Sequence, residues 1–364
     1  MRILLVIDSL GSGGAQRLYA HLAKALSQAG HQVEVFIYVA ENQFYKDDFH
    51  EAGIKIHIAE KDKPSFSWRV VEQLRAVIRT GYDGIISAMH APSVYAALAK
   101  IGIAQGKLVV CEVSSSAAPV PWIRKGLFYL AALMSDSVVV NSYSEAGIMR
   151  GQIGLSRKVT AIWNGYDVDA TEFHPYQGKM KLKQLLVVGR IAYPKNAVNL
   201  LRGLLLFYSR NSWMPQVLWA GRRDLDQRSR QMQVEMDAFL EAHPQVADSF
   251  HMLGEVKNID ELYKTSDALL HVSLYEGLPN VICEAMMLGC PVIASNVCDH
   301  QLLAAEERGL LCDPFSPQSI CDAIERFSNL SLEKRSEMAL KSRKFSEEEF
   351  DISRMVNQFE MLLK

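Results

Sequence analysis

The sequence lacks three features that would each place a protein in a distinct class. It has no CxxC pair, and its six cysteines, at positions 111, 283, 290, 298, 312 and 321, mostly interrupt apolar stretches. This favours reduced, buried thiols over a disulfide framework or a zinc site. No apolar run approaches the roughly 20 residues of a membrane-spanning helix. The short apolar run after Met1 predicts a first strand rather than a signal peptide.

Net charge is also nearly absent. The chain has 39 Lys and Arg residues against 41 Asp and Glu residues, a formal charge of −2. No overall field therefore attracts nucleic acid or an acidic membrane, and an anionic ligand must be met by local positive charge. The length of 364 residues favours two domains. We expect a cytoplasmic protein that is at most peripheral at the inner face of the plasma membrane.

Short apolar strands alternate with amphipathic helical segments along the whole chain, which predicts α/β domains with parallel sheets. Seven candidate strands come first, at 3–8, 33–39, 54–58, 84–88, 108–113, 137–141 and 159–163. Six more follow, at 185–189, 217–221, 250–253, 268–273, 291–295 and 309–313. The polar stretch 171–184 lies between the two series and is the best linker candidate.

Both series open with a strand, a glycine-bearing loop and a helix. Doubly wound sheets of this kind bind ligands at the carboxyl ends of their strands, and we expect the two sets of ends to face a central cleft. The predicted domains are 1–172, which should bind the acceptor, and 173–345, which should bind the donor. The helical pattern of 346–364 predicts a C-terminal helix that packs back on the first domain.

The most informative segment is HVSLYEGLPNVICEAMMLGCPVIAS, at 271–295, which predicts a strand, a turn, a short helix and a strand. Pro279 stands where a first helical residue is favoured, and Gly289 stands just past the helix end. Glu276 precedes the positive end of the helix, and Glu284 lies about one turn inside it. Helix N-termini bind anions, and carboxylates accept hydrogen bonds from hydroxyls. The segment therefore predicts a site for a phosphate flanked by hydroxylated groups, as in a nucleotide sugar.

This segment resembles the EX7E segment of the retaining glycosyltransferases that share the GT-B fold, close to glycosyltransferase family 4. The resemblance continues in the Gly-Gly loop near the start, in NGYD after the seventh strand and in the loop from Arg190 to Lys195. It implies two Rossmann-like domains and metal-independent transfer of a hexose, with retention, from a nucleotide diphosphate sugar. A UDP-sugar is the favoured donor. No cofactor is expected, since the nucleotide sugar is a substrate.

The pattern is closest to enzymes of bacterial capsule, exopolysaccharide or lipopolysaccharide assembly. The resemblance therefore implies a saccharide or polyprenyl-linked saccharide acceptor, and no nucleic acid partner. Residues 296–314 depart from the family because they lack the Gly-x-x-Glu often found there.

The resemblance also assigns roles in donor binding. Glu284 should hold the ribose hydroxyls, and Glu276 should contact the hydroxyls of the transferred sugar. Gly221, which follows a strand, should lie against the nucleotide base. The backbone near the phosphates or the sugar should be that of Gly277, Leu278, Pro279 and Asn280.

Three further residues complete the predicted catalytic set with Glu276. Arg190 and Lys195 follow a strand that ends in Gly189, and two cations there suit a diphosphate leaving group whose charge grows as the glycosidic bond breaks. Family members differ in helical placement after Pro194, which bears on the role of Lys195. His90 follows the fourth strand, and the family's histidine at this place lies near the donor sugar.

Gly13 and Gly14 lie between the first strand and the first helix. By the resemblance, this loop lets the backbone approach donor phosphate or acceptor, while a tight turn alone is the alternative. The loop also resembles a dinucleotide fingerprint, with Glu34 about twenty residues later. However, Gln16 occupies the place of the third glycine, which argues against a nicotinamide cofactor.

Two other segments allow two interpretations each. Asn164, in WNGYD, is expected to shape the hinge or line the cleft, and a simple turn is the alternative. The segment 120–134 joins aromatic residues to the basic pair Arg124 and Lys125. It predicts either contact with a bilayer or lipid-linked acceptor, or a buried helix with one basic end.

Two alternative functions stay open. A nucleotide-sugar epimerase of the same fold would convert the donor without an acceptor, and a glycogen-type phosphorylase would need a pyridoxal-binding lysine that the pattern does not locate. An inactive sugar-nucleotide-binding subunit would bind the donor without transfer. The presence of Glu276, Glu284, Arg190 and Lys195 argues against that last hypothesis.

Overall fold

The computed structural model describes residues 1–11, 13–41, 43–63, 65–168, 170–178 and 180–364. Ser12 of the predicted glycine loop and Lys179 of the predicted linker lie outside the described residues. The chain divides into two compact units. The first comprises Met1–Asp167 together with Phe350–Lys364, and the second is Val168–Glu349.

The first unit is built on a parallel sheet of seven strands in the order β3-β2-β1-β4-β5-β6-β7. These strands are β1 (Arg2–Val6), β2 (Gln32–Ile37), β3 (Lys55–Ile58), β4 (Gly84–Ala88), β5 (Lys107–Glu112), β6 (Ser137–Val140) and β7 (Val159–Ala161). The helices up to β7 are α1 (Gly14–Gln28), α2 (Lys46–Glu51), α3 (Trp68–Ile78), α4 (His90–Lys100), α5 (Trp122–Met134) and α6 (Tyr143–Arg150).

Both faces of this sheet are buried, which explains why its strands read as continuous apolar runs. Leu4 and Val6 of β1 pack into one hydrophobic core, whereas Ile3 and Leu5 pack into the other. Successive side chains of a strand point to opposite faces, so a strand covered by helices on both sides needs apolar residues throughout.

The second unit repeats this architecture with six parallel strands in the order β10-β9-β8-β11-β12-β13. The strands are β8 (Gln184–Val188), β9 (Gln216–Ala220), β10 (Phe250–Gly254), β11 (Ala268–His271), β12 (Val292–Ser295) and β13 (Gly309–Cys312). The helices are α7 (Ala197–Asn211), α8 (Gln227–Ala242), α9 (Pro244–Ala247), α10 (Asp260–Thr265), α11 (Asn280–Leu288), α12 (His300–Leu303), α13 (Pro317–Ser328) and α14 (Leu332–Glu349). The prediction of two doubly wound parallel-sheet domains is confirmed.

The end of the chain differs from the single helix predicted over 346–364. Residues 346–349 form the last turn of α14, and a separate helix, α15 (Ile352–Leu363), follows. The side chain of Asp351 accepts a hydrogen bond of 2.6 Å from the backbone N–H of Ser353, and this cap starts the new helix. The apolar face of α15 packs into the core of the first unit.

Strand order reverses between β1 and β4 in the first unit and between β8 and β11 in the second. In doubly wound sheets, ligands bind outside the carboxyl ends of the strands at this switch point. The loops that begin there carry the glycine pair, His90, the two cations and Glu276. Within the described part of the chain, no helix combines the length and apolar character needed to cross a bilayer.

Candidate active site

An ion pair joins two of the predicted catalytic residues at the switch point of the second unit. Lys195 Nζ lies 2.6 Å from Glu276 Oε1, and each side chain keeps 19% of its surface exposed. Lys195 ends a 3-10 turn after β8, while Glu276 lies between β11 and α11. Residues 81 positions apart in the sequence are thus in direct contact.

Asn196 holds the Lys195 loop against its neighbours. Its backbone has the left-handed conformation, with φ of 61°, at the start of α7. Its buried side-chain amide donates to the carbonyl of Val272, at 3.1 Å, and to that of Pro314, at 2.7 Å. The backbone N–H of Leu274 donates to the carbonyl of Pro194, at 2.8 Å. The two loops that carry Lys195 and Glu276 are therefore fixed to each other.

Glu276 is held as a carboxylate. Burial by itself would raise its pKa, but the charge of Lys195 and a hydrogen bond from His271 hold the pKa well below its ordinary value. His271 Nε2 lies 3.2 Å from Glu276 Oε1, and the hydroxyl of Ser273 donates to the same oxygen at 2.7 Å. Burial, together with the charge of Lys195, lowers the pKa of His271. The arrangement places a buried histidine beside the lysine–glutamate pair.

Arg190 lies in the same loop but pairs with another carboxylate, that of Asp224. Its side chain is 60% exposed, so the guanidinium is accessible from solvent. The loop is shaped by Gly221, which has φ of +154°, and a Cβ at this position would overlap the carbonyl of Gly189. The close approach of two backbones explains the need for glycine at 221. Contact between Gly221 and a nucleotide base stays a prediction.

The helix that follows Glu276 and contains Glu284 is α11. It begins at Asn280, so Pro279 is the capping residue before the helix and not the first helical residue as predicted. Gly289 ends it with φ of 81°, as expected of a helix C-terminus. Glu284 lies in the second turn, where its carboxylate accepts a hydrogen bond of 3.2 Å from the hydroxyl of Tyr263. The turn before the helix is partly buried: Leu278 and Pro279 are buried, whereas Gly277 and Asn280 are half-buried.

His90 is the first residue of α4, at the switch point of the first unit. Its Nε2 lies 2.9 Å from Glu112 Oε2, and its ring packs edge-on against Phe128. Burial alone would raise the pKa of Glu112, but its hydrogen bonds with His90 and Ser114 bring that pKa below its ordinary value. A carboxylate at the end of β5 therefore orients the predicted histidine.

The glycine pair of the first unit lies at the start of α1. Gly13 precedes α1, which begins at Gly14, and the amide of Gln16 folds back to donate to Asp8 at 3.0 Å. A Cβ at Gly13 would overlap the side chain of Gln16, so this glycine makes room for the glutamine.

Glu34 is not placed to bind a ribose. Its buried carboxylate accepts hydrogen bonds from Arg2, from Tyr82 at 2.9 Å and from His57 at 2.6 Å. Glu34 is the third residue of β2, away from the strand's carboxyl end where ligands bind. Glu34 therefore pairs with side chains within the first unit, and the absence of a nicotinamide cofactor stays a prediction.

Asn164 is buried within the first unit beneath α15. It lines a small cavity with Met355 and Phe359, and the next residue, Gly165, donates its backbone N–H to the sulfur of Met355 at 3.1 Å. A Cβ at Gly165 would lie 2.8 Å from the Cα of Ile352. This segment packs against the C-terminal helix, and acceptor contact by Asn164 stays a prediction.

One group of potential metal ligands occurs among the described residues, formed by Cys321, Asp322 and Glu325 of α13. Arg210 of α7 lies 2.8 Å from the carboxylate of Asp322 and 2.7 Å from that of Glu325. Burial raises the pKa of the Cys321 thiol to about 11. The guanidinium already pairs with both carboxylates, so the group is an ion-pair cluster.

The structure therefore brings Lys195 and Glu276 together and gives Arg190 and His90 separate carboxylate partners. Sequence reasoning missed five residues that orient this set: Glu112, Asn196, Asp224, Tyr263 and His271. Only His271 carried a signal, as a histidine inside an apolar strand, since the other four become relevant only when distant segments meet.

Two family models match consecutive parts of the chain. The model described as Glycosyltransferase Family 4 matches residues 12–170, and the model described as Glycosyl transferases group 1 matches residues 182–329. Together they span most of both units.

Similar proteins include a transferase of Campylobacter jejuni that is 24% identical over 96% of this chain and 91% of its own length. Its name is GalNAc-alpha-(1->4)-GalNAc-alpha-(1->3)-diNAcBac-PP-undecaprenol alpha-1,4-N-acetyl-D-galactosaminyltransferase. The amylovoran biosynthesis glycosyltransferase AmsD of Erwinia amylovora is 23% identical over 80% of each chain. The crystal structure of Anabaena HepE in complex with UDP shares the fold, with a TM-score of 0.82 and 19% identity over 100% of this chain and 99% of that one.

Proposed function

The chain belongs to the family 4-like glycosyltransferases of the GT-B fold, and we propose that it transfers a hexose, with retention, from a nucleotide diphosphate sugar to a lipid-linked saccharide. The observation that carries the proposal is the contact of Lys195 with Glu276 at the ligand edge of the second sheet. A cation and a carboxylate placed side by side can receive a phosphate and the hydroxyls of the attached sugar.

The proposed donor site uses the two cations against the leaving group. Lys195 and Arg190 are each paired with a carboxylate, and a diphosphate would compete for both cations. As Lys195 turns towards the phosphate, Glu276 is left to accept hydrogen bonds from sugar hydroxyls. Because charge on the diphosphate grows as the glycosidic bond breaks, the cations stabilise the transition state more than the bound donor.

Donor orientation is assigned to α11. The N-terminus of this nine-residue helix follows Glu276 and carries partial positive charge, which suits the phosphates. Glu284, held by Tyr263, is proposed to accept hydrogen bonds from the ribose. These contacts, with Arg190 and Lys195, meet the diphosphate charge without a metal ion.

In the proposed transfer, the bond between the anomeric carbon and the diphosphate oxygen breaks. A bond from an acceptor hydroxyl oxygen to the anomeric carbon forms on the same face, and the hydroxyl proton passes to the departing diphosphate. No protein carboxylate attacks the anomeric carbon. In the first unit, His90, oriented by Glu112, is assigned to the sugar or to the attacking hydroxyl, and the loop at Gly13 and Gly14 to the phosphate or acceptor.

The proposed donor and acceptor classes come from the proteins to which this chain is similar. The similar Campylobacter protein is named for a saccharide linked to undecaprenyl diphosphate, AmsD for a bacterial polysaccharide, and HepE was crystallised with UDP. We therefore assign this chain to bacterial surface polysaccharide assembly, with a UDP-sugar as donor and peripheral contact with the membrane that holds the acceptor.

Replacement of Arg190 by Ala tests the proposal. Its side chain is largely exposed, so the variant should unfold like the wild type, while turnover should fall by about 100-fold because leaving-group stabilisation is lost. Arg210→Ala is the matched control, since Arg210 also pairs with carboxylates in the second unit but away from the switch point. Equal turnover of wild type and Arg190→Ala would refute the assignment.

The alternative functions are separated in the same assay. Conversion of the donor to its epimer without any acceptor would identify an epimerase. Donor binding without transfer to any saccharide acceptor would identify an inactive binding subunit. We expect transfer, with release of one nucleoside diphosphate for each sugar moved.

A further inference from the structure

Helix α5 of the first unit leaves an apolar stripe on the protein surface. Ile123, Leu127, Leu130 and Met134 recur at helical spacing, and each is between 45% and 55% exposed. Trp122, at the start of the helix, is 81% exposed. The opposite face is also apolar but packs into the core through Phe128, Ala131 and Ala132. The helix is therefore apolar on both sides, and among the residues that the structure describes only one side packs against the core.

The stripe has exposed apolar neighbours at the end of α6 and in the segment after it. Ile148 and Ile153 are exposed there, and the hydroxyl of Tyr129 of α5 donates to the carbonyl of Ile153 at 2.5 Å. Leu133 of α5 packs closely against the turn at Gly154. The exposed apolar residues of α5, together with Ile148 and Ile153 of the neighbouring segment, are called here the α5 surface.

The charged residues of the two segments that carry this surface are all basic, and Asp136 and Glu145 lie just outside these segments. No Asp or Glu occurs in residues 114–135 or 146–160, whereas these two segments contain five basic residues: Arg124, Lys125, Arg150, Arg157 and Lys158. Arg124 and Arg157 are exposed. An apolar helix face with a large aromatic residue and basic flanks is the pattern of a helix lying in the headgroup region of an anionic bilayer. Charge is instead depleted in the core of protein–protein interfaces.

The α5 surface also adjoins a cavity at the ligand edge of the first sheet. Its volume is about 130 Å³. The lining includes the polar residues His90, Glu112 and Glu145, and it includes Lys125, Tyr129 and Ile148 of the two elements that form the surface. A saccharide head group anchored in a bilayer beneath α5 would therefore lie next to the predicted acceptor side of the enzyme.

We propose that the α5 surface docks on an anionic lipid bilayer, with the helix axis parallel to the membrane plane and the apolar stripe inserted between headgroups. The inference rests on the proposed function, in that the bilayer supplies the lipid-linked acceptor. It adds to that function the surface through which the enzyme contacts the bilayer. It also corrects the interpretation of 120–134 as a buried helix, because the stripe at Ile123, Leu127, Leu130 and Met134 is open to solvent.

Flotation of the full-length protein with vesicles tests the proposal without donor or acceptor. The protein should float with phosphatidylcholine vesicles that contain about one quarter phosphatidylglycerol, and much less with phosphatidylcholine alone. Leu127→Glu combined with Leu130→Glu should lower the bound fraction at least about tenfold, since two charges replace inserted apolar groups. Both positions are exposed, so the variant should keep its unfolding temperature.

The matched control places two glutamates on exposed apolar positions of the second unit, Val234→Glu and Leu340→Glu, and should float like the wild type. Failure of the wild type to bind anionic vesicles would overturn the proposal, as would equal flotation of Leu127→Glu/Leu130→Glu. A wild-type dimer that this variant converts to a monomer would show a self-association surface and would also overturn it.

Failure of the docking proposal and failure of the proposed function give different results. Flotation of a protein that transfers no sugar would refute the function alone. Transfer to a water-soluble acceptor by a protein that never floats would refute only the docking.

Discussion

Replacement of Lys195 by Met removes the cation from the pair at the centre of the candidate site. Methionine keeps an unbranched side chain, so packing changes little and the charge is lost. Glu276 then keeps hydrogen bonds from Ser273 and His271 but loses its only described ion-pair lysine. The carboxylate is left partly buried and uncompensated.

The size of the effect follows from the burial of the pair. Removing one partner of a buried ion pair costs about 3–5 kcal/mol. Because Lys195 and Glu276 each keep 19% of their surface exposed, and two hydrogen bonds remain, we expect a loss of about 2–3 kcal/mol in the free energy of unfolding of the second unit.

The loss should depend on pH. In the wild type, burial first, and the charge of Lys195 next, lowers the pKa of His271. In Lys195→Met the lysine charge is gone and Glu276 still attracts a proton, so the pKa of His271 rises. In the wild type, the lowered pKa of His271 costs stability below about pH 6.5, where the unfolded chain takes up the proton, and this cost is smaller in the variant. The destabilisation should therefore be smaller near pH 5 than near pH 8, on either side of the ordinary pKa of about 6.5.

Denaturant unfolding of Lys195→Met, Glu276→Gln and the double variant measures the coupling. A coupling of about 2 kcal/mol is expected, because the double variant has no uncompensated charge. Lys341→Met is the matched control, since the pair of Lys341 with Glu307 is exposed to solvent, and it should show no measurable change. Additive effects of the two single variants, or a Lys195→Met variant as stable as Lys341→Met, would refute the reasoning.

Two further predictions concern the scaffold. The pKa of Glu34 is lowered to about 2 from 4.5, so Glu34→Gln should lower the free energy of unfolding at pH 7 by about 3 kcal/mol. In denaturant unfolding, this difference from the wild type should shrink as pH falls below about 4.5. A constant difference down to pH 2 would contradict the prediction. Gly221→Ala should lower the free energy of unfolding by about 2–4 kcal/mol, because φ is positive there and the added Cβ meets the backbone of Gly189. Gly254 also has a positive φ, of +69°, but has open space around it, so Gly254→Ala should lower the free energy of unfolding by about 1 kcal/mol. Equal losses in the two glycine variants would contradict the steric argument.

Apolar patterning was sufficient to predict the strands. The run ILLV at 3–6 marks a buried strand because each sheet is covered on both faces, and all thirteen predicted strands are found. The short helix before Gly289 was also predicted, because glycine readily adopts the left-handed backbone conformation that ends a helix. The boundary at Pro279 was off by one residue because proline serves as a cap as well as a first helical residue.

The contacts of the candidate site could not be predicted in the same way. Arg190 and Lys195 were recognised as cations, but their carboxylate partners, Asp224 and Glu276, lie 34 and 81 positions away. Which partner each cation takes depends on how the loops pack. The exposure of one face of α5 could not be predicted from the sequence for a related reason. Both faces of the helix are apolar, and composition does not show which of them packs against the core.

Binding of nucleotide sugars is the most direct test of the central claim, that the second unit holds a donor diphosphate between Arg190, Lys195 and α11. Thermal unfolding should be followed with UDP-, GDP-, ADP- and CMP-sugars, for the wild type and for Lys195→Met. A ligand that binds only the folded protein raises its unfolding temperature, and the rise grows with the ratio of ligand concentration to Kd. We predict that a diphosphate sugar, UDP-linked first among them, stabilises the wild type and fails to stabilise Lys195→Met. Equal stabilisation of both proteins, or of neither by any nucleotide sugar, would contradict the account.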